Sequence, residues 1–518
     1  MENNRSSWGS NLGFLMAAIG SAVGLGNIWG FPYKMGRSGG FTFLIAYLLL
    51  AVFVGFVIMT SELALGRKTQ LGPVGAYNQI SKKFKWIGWL AVIAPFLIMS
   101  FYTVLGGYCI QYLSLNLAEL SFGLQNLFGI NLEGGSTFGA MLTNPFGCAI
   151  FTLLFIAICY FINKGEVSDG IEKFNKIGMP ALFVMLVIVI IRALTLPGAE
   201  EGLKFMFKPG YAVEAGFIEE APSLLNVFAT AGGQMFFSLS LAMGAMITYG
   251  SYLSKYENLK KNSVVIVVAD TTIALMAGIA VIPAAVANGI ANGIAYADIS
   301  LSGPKLLFVT LQDVFAEMGS IGPLFGIIFY LLVLIAAISS AISLIEVISA
   351  FFMDDAAKKG KELKREKVVF WVCIAITIEA LLVAIDGLGA SGIFKFWGTD
   401  AWNDCFLDFM DCWSEGVAMP LGAMLMAVMV GWELKVTPIL EEIDTGSKKS
   451  SAFDTFYKVC IKFITPIAMA FIFAGSVSGF FTKAQIGSLN SEMLGYILGA
   501  IVLVVFFIVA NTGKKERL

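Results

Sequence analysis

Inside its first apolar block the chain reads Gly20-Ser21-Ala22-Val23-Gly24-Leu25-Gly26-Asn27-Ile28-Trp29-Gly30-Phe31-Pro32. Glycine costs about 1 kcal/mol relative to alanine inside a helix, and proline lacks the amide donor that a helix interior needs. The sixth apolar block has a similar difficulty, because Gln234, Ser238 and Ser240 place polar side chains at mid-membrane depth. Non-helical backbone is tolerated there only where it is buried in protein or lines a cavity. Both blocks predict interrupted helices at a binding site, although small residues can also serve close helix packing.

The composition is that of a membrane protein. Apolar residues make up 58% of the 518 residues and charged residues only 14%, whereas about a quarter of a soluble domain is charged. The apolar blocks are long enough to cross a bilayer, which takes about 20 residues of helix. The net charge of −2 gives no indication of a nucleic-acid partner. We therefore expect one helical bundle whose surroundings are the lipid bilayer.

The apolar blocks between charged segments predict twelve membrane spans, numbered here in chain order. They cover residues 11–34, 41–66, 86–118, 146–162, 170–196, 223–251, 262–287, 320–353, 367–386, 405–432, 456–481 and 488–510. With both termini in the cytoplasm, most of the 34 Lys and Arg residues, including the clusters in 67–85 and 358–367, fall in cytoplasmic segments. The positive-inside rule favours that orientation. Both termini are therefore expected on the cytoplasmic side of the membrane.

Residues that catalysis or metal clusters commonly use are scarce in this sequence. There is no histidine, and the seven cysteines are scattered without a CxxC pair. A structural metal cluster, a disulfide framework and a histidine proton relay are therefore not indicated. A membrane-embedded enzyme is an alternative to a transporter, but the sequence offers it no nucleophile–base pair. We expect no enzyme activity and no organic cofactor.

Four different motifs are spread in order along nearly the whole chain. They are 22–27 (AVGLGN) followed by Trp29 and Phe31-Pro32, 61–67 (SELALGR), 236–241 (FFSLSL) and 336–340 (AAISS). Together they resemble the signatures of the neurotransmitter:sodium symporter (solute carrier 6-type) family, in its bacterial branch of leucine and hydrophobic amino-acid transporters. The resemblance implies the leucine-transporter fold and sodium-coupled uptake of an amino acid.

The resemblance also implies a division of the chain. Residues 1–10 would be a cytoplasmic gate segment, and spans 1–5 (11–196) and 6–10 (223–432) would form two inverted repeats with spans 1 and 6 unwound. An extracellular loop, 197–222, would join them. Residues 433–518 would hold a cytoplasmic loop, two peripheral spans and the C-terminal tail.

Two sodium sites are implied by the resemblance. Sodium is a hard cation, which oxygen atoms bind. The implied first site consists of Ala22, Asn27, Ser238 and Asp270, and the second of Gly20, Val23, Ala336, Ser339 and Ser340. For the two adjacent serines, ordinary bonding of the hydroxyl to a helix carbonyl is the alternative.

The implied substrate pocket lies beside these ions, with the substrate carboxylate completing the first sodium site. Its members would be Ser21, Ala22, Leu25, Gly26, Ile98, Tyr102, Phe237, Ser238, Ser240, Met243, Ser340 and Leu344. Phe237 would act as a lid, and the lining is apolar with a deformable methionine. A hydrophobic or aromatic amino acid is therefore expected, although an apolar side chain in a span usually serves packing only.

Asp270 bears on the anion requirement, because an ionisable side chain within a membrane span indicates a function. Chloride-dependent relatives have asparagine at this position and serine one turn later, where this chain has Ala274. Tyr47, Gln234 and Ser238 still match the chloride pocket of those relatives. A fixed carboxylate beside sodium makes the anion unnecessary, so we expect chloride independence.

The implied inner gate consists of Arg5, Trp8, Tyr252 and Asp354, with an Arg5–Asp354 pair that closes the cytoplasmic side. Gly170 and Pro180 have the Gly-x9-Pro spacing with which the family unwinds span 5 to admit water to the second sodium. Both are helix breakers. A sensor that binds an amino acid without moving it is the second alternative, and these elements favour transport over it.

The outer gate departs from the family pattern. The family has Trp-Arg-Phe-Pro where this chain has Trp29-Gly30-Phe31-Pro32, while the acidic partner Asp411 in span 10 remains. Lys34 lies four residues after Gly30, on the same helix face. We expect either a Lys34–Asp411 pair or a wider path that Phe237 closes alone.

Overall fold

The structure, a computed structural model, describes residues 7–123, 132–299, 301, 303, 305–393, 405–478 and 491–512. Within these ranges the chain forms helices and no strand. Ten helices are long and apolar enough to cross a membrane, and a bent pair in span 1 raises the number to 11. The all-α membrane fold is thereby confirmed. Arg5 lies outside the described residues, and so does the predicted Arg5–Asp354 pair.

Ten of the predicted spans are straight enough to be counted as single helices. They are Phe41–Thr69, Ile87–Phe122, Pro145–Asn163, Ser168–Leu194, Leu259–Ala291, Gly319–Lys358, Arg365–Ile385, Phe406–Glu433, Ser451–Ser478 and Met493–Asn511. Shorter helices lie between them, at Pro73–Ile80, Gly134–Leu142, Ala199–Phe207, Tyr211–Glu214, Leu311–Glu317 and Thr437–Asp444. We call the face where span 1 begins the inner face, predicted to be cytoplasmic, and the opposite one the outer face.

Span 1 is interrupted where its glycines are densest. A helix runs over Asn11–Ala22, and a second helical segment, Gly26–Arg37, follows at an angle of 46°. The first helix begins at an N-cap, Ser10, whose hydroxyl accepts a hydrogen bond from Gly13 N, as capping serines do. The predicted interruption of span 1 is confirmed.

Span 6 is interrupted more widely, between the helices Leu224–Ser238 and Ala245–Gly250. Within the break Ser240, Ala242 and Gly244 have φ angles of 52°, 59° and 77°, and such a conformation strains residues other than glycine. Neither helix is long enough to cross a membrane alone, which is why span 6 is not among the straight spans. The first span of each predicted half is therefore broken, as in secondary transporters with inverted repeats.

Span 2 packs closely against the inner part of span 6 and supports the break. A Cβ atom on Gly66 would lie 2.0 Å from the Ile247 carbonyl oxygen, so only glycine allows this approach, as small residues do between membrane helices. The Glu62 carboxylate, also in span 2, accepts a hydrogen bond from Ala242 N (2.8 Å). An amide that the break deprives of its helical partner is thus satisfied by a side chain.

Candidate ion and substrate site

The first cluster of oxygen atoms joins spans 1, 2, 6 and 7. The Asp270 carboxylate accepts hydrogen bonds from Asn27 Nδ2 (2.7 Å) and Ser238 Oγ (2.9 Å). The Tyr47 hydroxyl lies 3.4 Å from the same carboxylate and 3.2 Å from Ser238 Oγ. All four side chains are fully buried. The structure therefore brings together the three side chains of the predicted first sodium site.

The backbone and amide groups of this cluster are also positioned for a cation. Ala22, its fourth predicted member, is the last residue of the helix Asn11–Ala22, and the final carbonyl groups of a helix lack partners within it. Gly24 N donates to Asn27 Oδ1 (3.1 Å), which holds the Asn27 amide in place. One negative charge lies among these oxygens, which suits a hard cation.

The residues that matched a chloride pocket have other partners here. The hydroxyl groups of Tyr47 and Ser238 face the Asp270 carboxylate. Gln234 Nε2 donates to the Gly26 carbonyl oxygen (2.7 Å). Ala274, one turn after Asp270, is fully buried and offers no hydroxyl. The carboxylate thus takes the hydroxyl groups that an anion would need.

The second cluster joins span 1 to span 8. Ser339 Oγ lies 2.8 Å from the Ala336 carbonyl oxygen and 3.3 Å from that of Val23. Ser340 Oγ lies 3.4 Å from the Gly20 carbonyl oxygen. The contact with Ala336 is ordinary bonding within a helix, but the other two contacts cross to span 1. All five residues of the predicted second sodium site therefore meet in space.

A cavity of about 20 Å³ shares Ala22 with the first cluster and Ser340 with the second. Spans 1, 3, 6 and 8 supply its walls. It is lined by Ser21, Ala22, Gly24, Gly26, Ile98, Tyr102, Phe237, Ser240, Met243, Ser340 and Leu344. Among the residues predicted to bind substrate, only Leu25 and Ser238 do not line it. Gly24 lines it and was not predicted.

The cavity has about the size of one water molecule, so an amino acid needs neighbouring side chains to move. Phe237 is the closest cover, because a Cβ atom on Gly26 would lie 2.6 Å from Phe237 Cδ1. Met243 stands in the same lining and adapts its shape readily. In this structure the ring of Phe237 packs on span 1 beside the cavity.

Hydrogen bonds fix the polar end of the cavity. Leu25 N donates to the Tyr102 hydroxyl (3.2 Å), so Leu25 contributes its amide without lining the space. Ser240 Oγ donates to the Ser21 carbonyl oxygen (2.7 Å), and Ser21 Oγ donates to Ser343 Oγ (2.8 Å). Ser343 was missed in the sequence, although its position one turn after Ser339 and Ser340 is a signal that could have found it.

Three predicted residues of the inner gate, Trp8, Tyr252 and Asp354, lie in the described part of the chain at the inner face. Trp8 Nε1 donates to the Tyr249 carbonyl oxygen (3.1 Å), and the Trp8 ring lies edge-on to Tyr252 at 6.1 Å. Asp354 accepts a hydrogen bond from Gly72 N (2.6 Å), which ties span 8 to the segment after span 2. Trp8 thus joins the start of span 1 to the inner end of span 6.

A buried ion pair at the inner face was missed by the sequence analysis. Arg365 forms a two-pronged pair with the Glu346 carboxylate, and the Tyr252 hydroxyl donates to the same carboxylate (2.6 Å). Arg365 Nε also donates to the Gly165 carbonyl oxygen (2.6 Å). The pair joins spans 4, 6, 8 and 9. An acidic residue inside an apolar span is the signal that could have found Glu346.

Gly170 and Pro180 lie in span 5, in the helical segments Ser168–Glu172 and Lys173–Leu194. Span 5 is helical through both residues, so the predicted unwinding is not seen in this structure. Between them, the Glu172 carboxylate accepts hydrogen bonds from Gly9 N (2.7 Å) and Ser10 Oγ (3.2 Å). The start of span 5 therefore holds the start of span 1.

The outer path contains an ion pair, but not the predicted one. Lys34 pairs with Glu415, and within the described part of the chain it makes no pair with Asp411. Helix side chains point toward the N-terminus of their helix, which directs the Lys34 ammonium inward along span 1. Span 10 runs from the outer face inward, so Glu415 lies one helical turn deeper than Asp411. Lys34 therefore reaches Glu415. The expected Lys34–Asp411 pair is wrong.

Comparison with a model of the sodium:neurotransmitter symporter family gives a match over residues 5–125 and 124–514. A Bacillus subtilis protein described as the uncharacterized sodium-dependent transporter YhdH is 32% identical, over 91% of this chain and 98% of that protein. A Methanocaldococcus jannaschii sodium-dependent transporter is 28% identical, over 99% and 98%. The crystal structure of MhsT in complex with L-phenylalanine matches with a TM-score of 0.78 and 34% identity, over 91% of this chain and 100% of MhsT.

Proposed function

Because the chain belongs to the sodium:neurotransmitter symporter family, we propose that it imports a hydrophobic or aromatic amino acid together with sodium, by alternating access. It is a sodium-dependent membrane transporter, not an enzyme. One observation carries the finer proposal: the cavity shares Ala22 with one oxygen cluster and Ser340 with the other. Binding of ion and substrate is then linked, because each orders groups that the other contacts.

Two sodium ions are proposed, one for each oxygen cluster. The first would be held by Asn27, Ser238, Asp270 and the Ala22 carbonyl, the second by the hydroxyls of Ser339 and Ser340 and the carbonyls of Gly20, Val23 and Ala336. The support is that oxygens from different spans converge at each place. Sodium would hold span 1 to spans 7 and 8, which leaves the bundle closed only when the ions are bound.

The proposed substrate has an apolar side chain. Ile98, Met243 and Leu344 line the cavity beside Phe237, and the ionisable side chain in the lining is the Tyr102 phenol. A charged substrate side chain would lack a countercharge there, which is costly in a buried site. That MhsT was solved with L-phenylalanine supports an aromatic or similar apolar substrate.

Chloride independence is proposed on the position of Asp270. Its carboxylate accepts from Ser238 and lies near Tyr47, so a fixed negative charge stands where these hydroxyls would face an anion. An added chloride would be repelled by the carboxylate and would find its donors already engaged.

For the outer gate we propose that the Lys34–Glu415 pair closes the path together with Phe237. The pair lies against span 6, since a Cβ atom on Gly233 would lie 2.9 Å from Glu415 Oε1. Gln234, the next residue, has an oxygen without a hydrogen-bond partner in the described ranges. Closure by Phe237 alone remains the competing proposal, and the two differ in whether the charges matter.

The inner face is proposed to open by release of span 1 from spans 5, 6 and 8, with the Gly170–Pro180 segment admitting water to the second sodium. The proposal is supported by the contacts at the start of span 1, where Trp8 bonds to span 6 and Glu172 of span 5 accepts from Gly9 N. A location in a bacterial plasma membrane with both termini in the cytoplasm is proposed from the distribution of basic residues.

The test is a scintillation-proximity binding screen of the twenty amino acids on the purified protein, with and without sodium. Leucine-sized and aromatic amino acids should outcompete glycine, aspartate and lysine. Asn27→Ala and Ser339→Ala should each weaken the apparent sodium affinity. Full binding in potassium or choline buffer would refute sodium coupling, and preferred binding of a charged amino acid would refute the substrate class.

Uptake into proteoliposomes separates transport from sensing, because a sensor binds its ligand and accumulates none. Replacing chloride with gluconate should leave the uptake rate unchanged. The double variant Asp270→Asn/Ala274→Ser should acquire a chloride requirement, since it loses the fixed charge and gains a hydroxyl. A chloride requirement in the unchanged protein would show that Asp270 does not replace the anion.

A further inference from the structure

Asn175 lies in span 5, midway between Gly170 and Pro180. Of the two polar atoms of its side-chain amide, one forms a hydrogen bond and the other forms none within the described residues. The side chain is fully buried. Its Nδ2 donates to the Ile171 carbonyl oxygen one turn earlier (2.9 Å). That bond assigns the orientation of the amide and directs Oδ1 away from its own helix. Within the part of the chain that the structure describes, Oδ1 has no hydrogen-bond partner.

The unused oxygen lies against Gly20, whose carbonyl oxygen belongs to the second oxygen cluster. A Cβ atom on Gly20 would lie 1.9 Å from Asn175 Oδ1 and 3.3 Å from Ser339 Cβ. Asn175 Oδ1 therefore stands against the turn of span 1 whose carbonyl oxygen accepts from Ser340, on the side facing span 5. Gly20 thereby lets the Asn175 side chain approach span 1 closely, because any larger residue would collide with Oδ1.

A packing role alone explains the geometry less well. Contacts of the Cα–H···O type, as between Gly20 and Asn175 Oδ1, are weak. A buried carbonyl oxygen without a donor carries its full desolvation cost, whereas an apolar residue of similar size would fill the same space without that cost. Such an oxygen in a native structure calls for an ion or a water molecule.

We propose that Asn175 Oδ1 is a further oxygen ligand for the second sodium ion, one that the ion gains on the span 5 side of Gly20. Carboxamide oxygens bind hard cations as carbonyl oxygens do. Span 5 thereby contributes directly to the ion that spans 1 and 8 hold. The assignment rests on the proposed second sodium site and deepens it, because it supplies a contact between that ion and the segment between Gly170 and Pro180.

The experiment is equilibrium binding of radioactive sodium alone to the full-length protein in choline buffer, read by scintillation proximity. Asn175→Ala should raise the half-saturating sodium concentration about fivefold, the scale of one lost polar interaction. Asn175→Ser is the second variant, because a serine hydroxyl can keep the bond to the carbonyl four residues earlier while it removes the oxygen at Gly20. It should weaken sodium binding as the alanine variant does.

The matched control is Asn163→Ala. Asn163 is also fully buried, and its side-chain amide also lacks a hydrogen-bond partner among the described residues, but it ends span 4 at the inner face. Sodium binding should be unchanged in this variant. Loss of thermal stability in sodium-free buffer with unchanged sodium affinity, in either Asn175 variant, would make Asn175 a packing residue and overturn the assignment.

Ser339→Ala separates this assignment from the function on which it rests. If Ser339→Ala weakens sodium binding and both Asn175 variants bind sodium as the unchanged protein does, only the role of Asn175 is refuted. If Ser339→Ala has no effect either, the second sodium site itself is refuted and the assignment falls with it. Weakened binding in Ser339→Ala and both Asn175 variants, with Asn163→Ala unchanged, supports both.

Discussion

The ion pairs at the two faces of the bundle differ in burial. At the inner face Arg365 and Glu346 form an ion pair whose side chains are 8% and 0% exposed, and Tyr252 and the Gly165 carbonyl complete its hydrogen bonds. At the outer face the side chains of Lys34 and Glu415 are 17% and 15% exposed. Beside them, Gln234 has an oxygen without a partner in the described ranges.

The two pairs are therefore expected to stabilise the protein to different degrees. Breaking a buried pair by removing one partner costs about 3–5 kcal/mol, whereas exposed pairs contribute about 0–1 kcal/mol. The outer pair is the one that departs from the family pattern, since Gly30 replaces an arginine. We expect substitutions to have effects that fall in size from the inner face to the outer one.

The largest effect is expected for Arg365→Gln. It leaves the Glu346 carboxylate buried without its cation, which should destabilise the protein by about 3–5 kcal/mol. Thermal unfolding in detergent with sodium present measures this loss. Glu346→Gln/Arg365→Gln should be less destabilised than either single variant, because no unpaired charge remains.

Lys359→Gln is the matched control at the same face. It removes an exposed pair with Asp355, in which the side chains are 62% and 43% exposed, and should change the unfolding temperature little. Equal destabilisation by Arg365→Gln and Lys359→Gln would break the contrast between the two ends.

A smaller effect is expected for Glu172→Gln. The Glu172 carboxylate accepts hydrogen bonds from Gly9 N and Ser10 Oγ. Weakening such charged hydrogen bonds should lower the free energy of unfolding by about 1–3 kcal/mol. Because these bonds hold the start of span 1, a cysteine introduced near it should react faster with a reagent added at the inner face. Lys176→Gln, which removes the half-exposed cation paired with Glu172, should leave that rate nearly unchanged.

Lys34→Ala should destabilise the protein less than Arg365→Gln does, because the side chains of Lys34 and Glu415 are 17% and 15% exposed and keep part of their hydration. Its effect should appear instead as faster substrate dissociation and greater reactivity of cysteines placed in the outer path. Glu415→Gln should reproduce this effect and Asp411→Asn should not, because Lys34 pairs with Glu415. Unchanged dissociation in Lys34→Ala would leave closure to Phe237.

The smallest change in stability is expected for Gly30→Arg in the Lys34→Ala background. This substitution should slow substrate dissociation back to the rate of the unchanged protein. A Cβ atom at this position would lie 2.8 Å from Gln234 Oε1, the end of a flexible side chain that can shift. The guanidinium could then donate to that oxygen and approach Asp411. Gly30→Met, similar in length but uncharged, should not restore it. Rescue by both would indicate that bulk, not charge, closes the outer path.

Much of the site could be predicted because the sequence carries it in local motifs. Residues 20–27 combine glycines with an asparagine where a membrane helix should continue, and Ser339 and Ser340 stand in a motif read from one helix. The structure brings these residues together around one cavity. The motifs therefore predicted which residues lie near one another, and their roles in binding stay predictions.

The residues that were missed belong to pairs between different spans. Glu346 of span 8 meets Arg365 of span 9, and Asn175 of span 5 lies against Gly20 of span 1. Glu346 is conspicuous as an acid in an apolar span, whereas Arg365 and Asn175 alone are ordinary polar side chains. The role of each of these residues depends on the partner that it meets in the folded protein. A single sequence does not show which helices pack against each other.

By itself the sequence determined the membrane environment, the broken first and sixth spans and the residue types of the two oxygen clusters. These depend on local chemistry: glycine and proline weaken a helix wherever it lies, and polar groups in an apolar span need partners. Only the tertiary structure decided that Lys34 meets Glu415 instead of Asp411. The choice depends on the direction in which side chains leave two antiparallel helices and on their relative height, where one turn is about 5.4 Å.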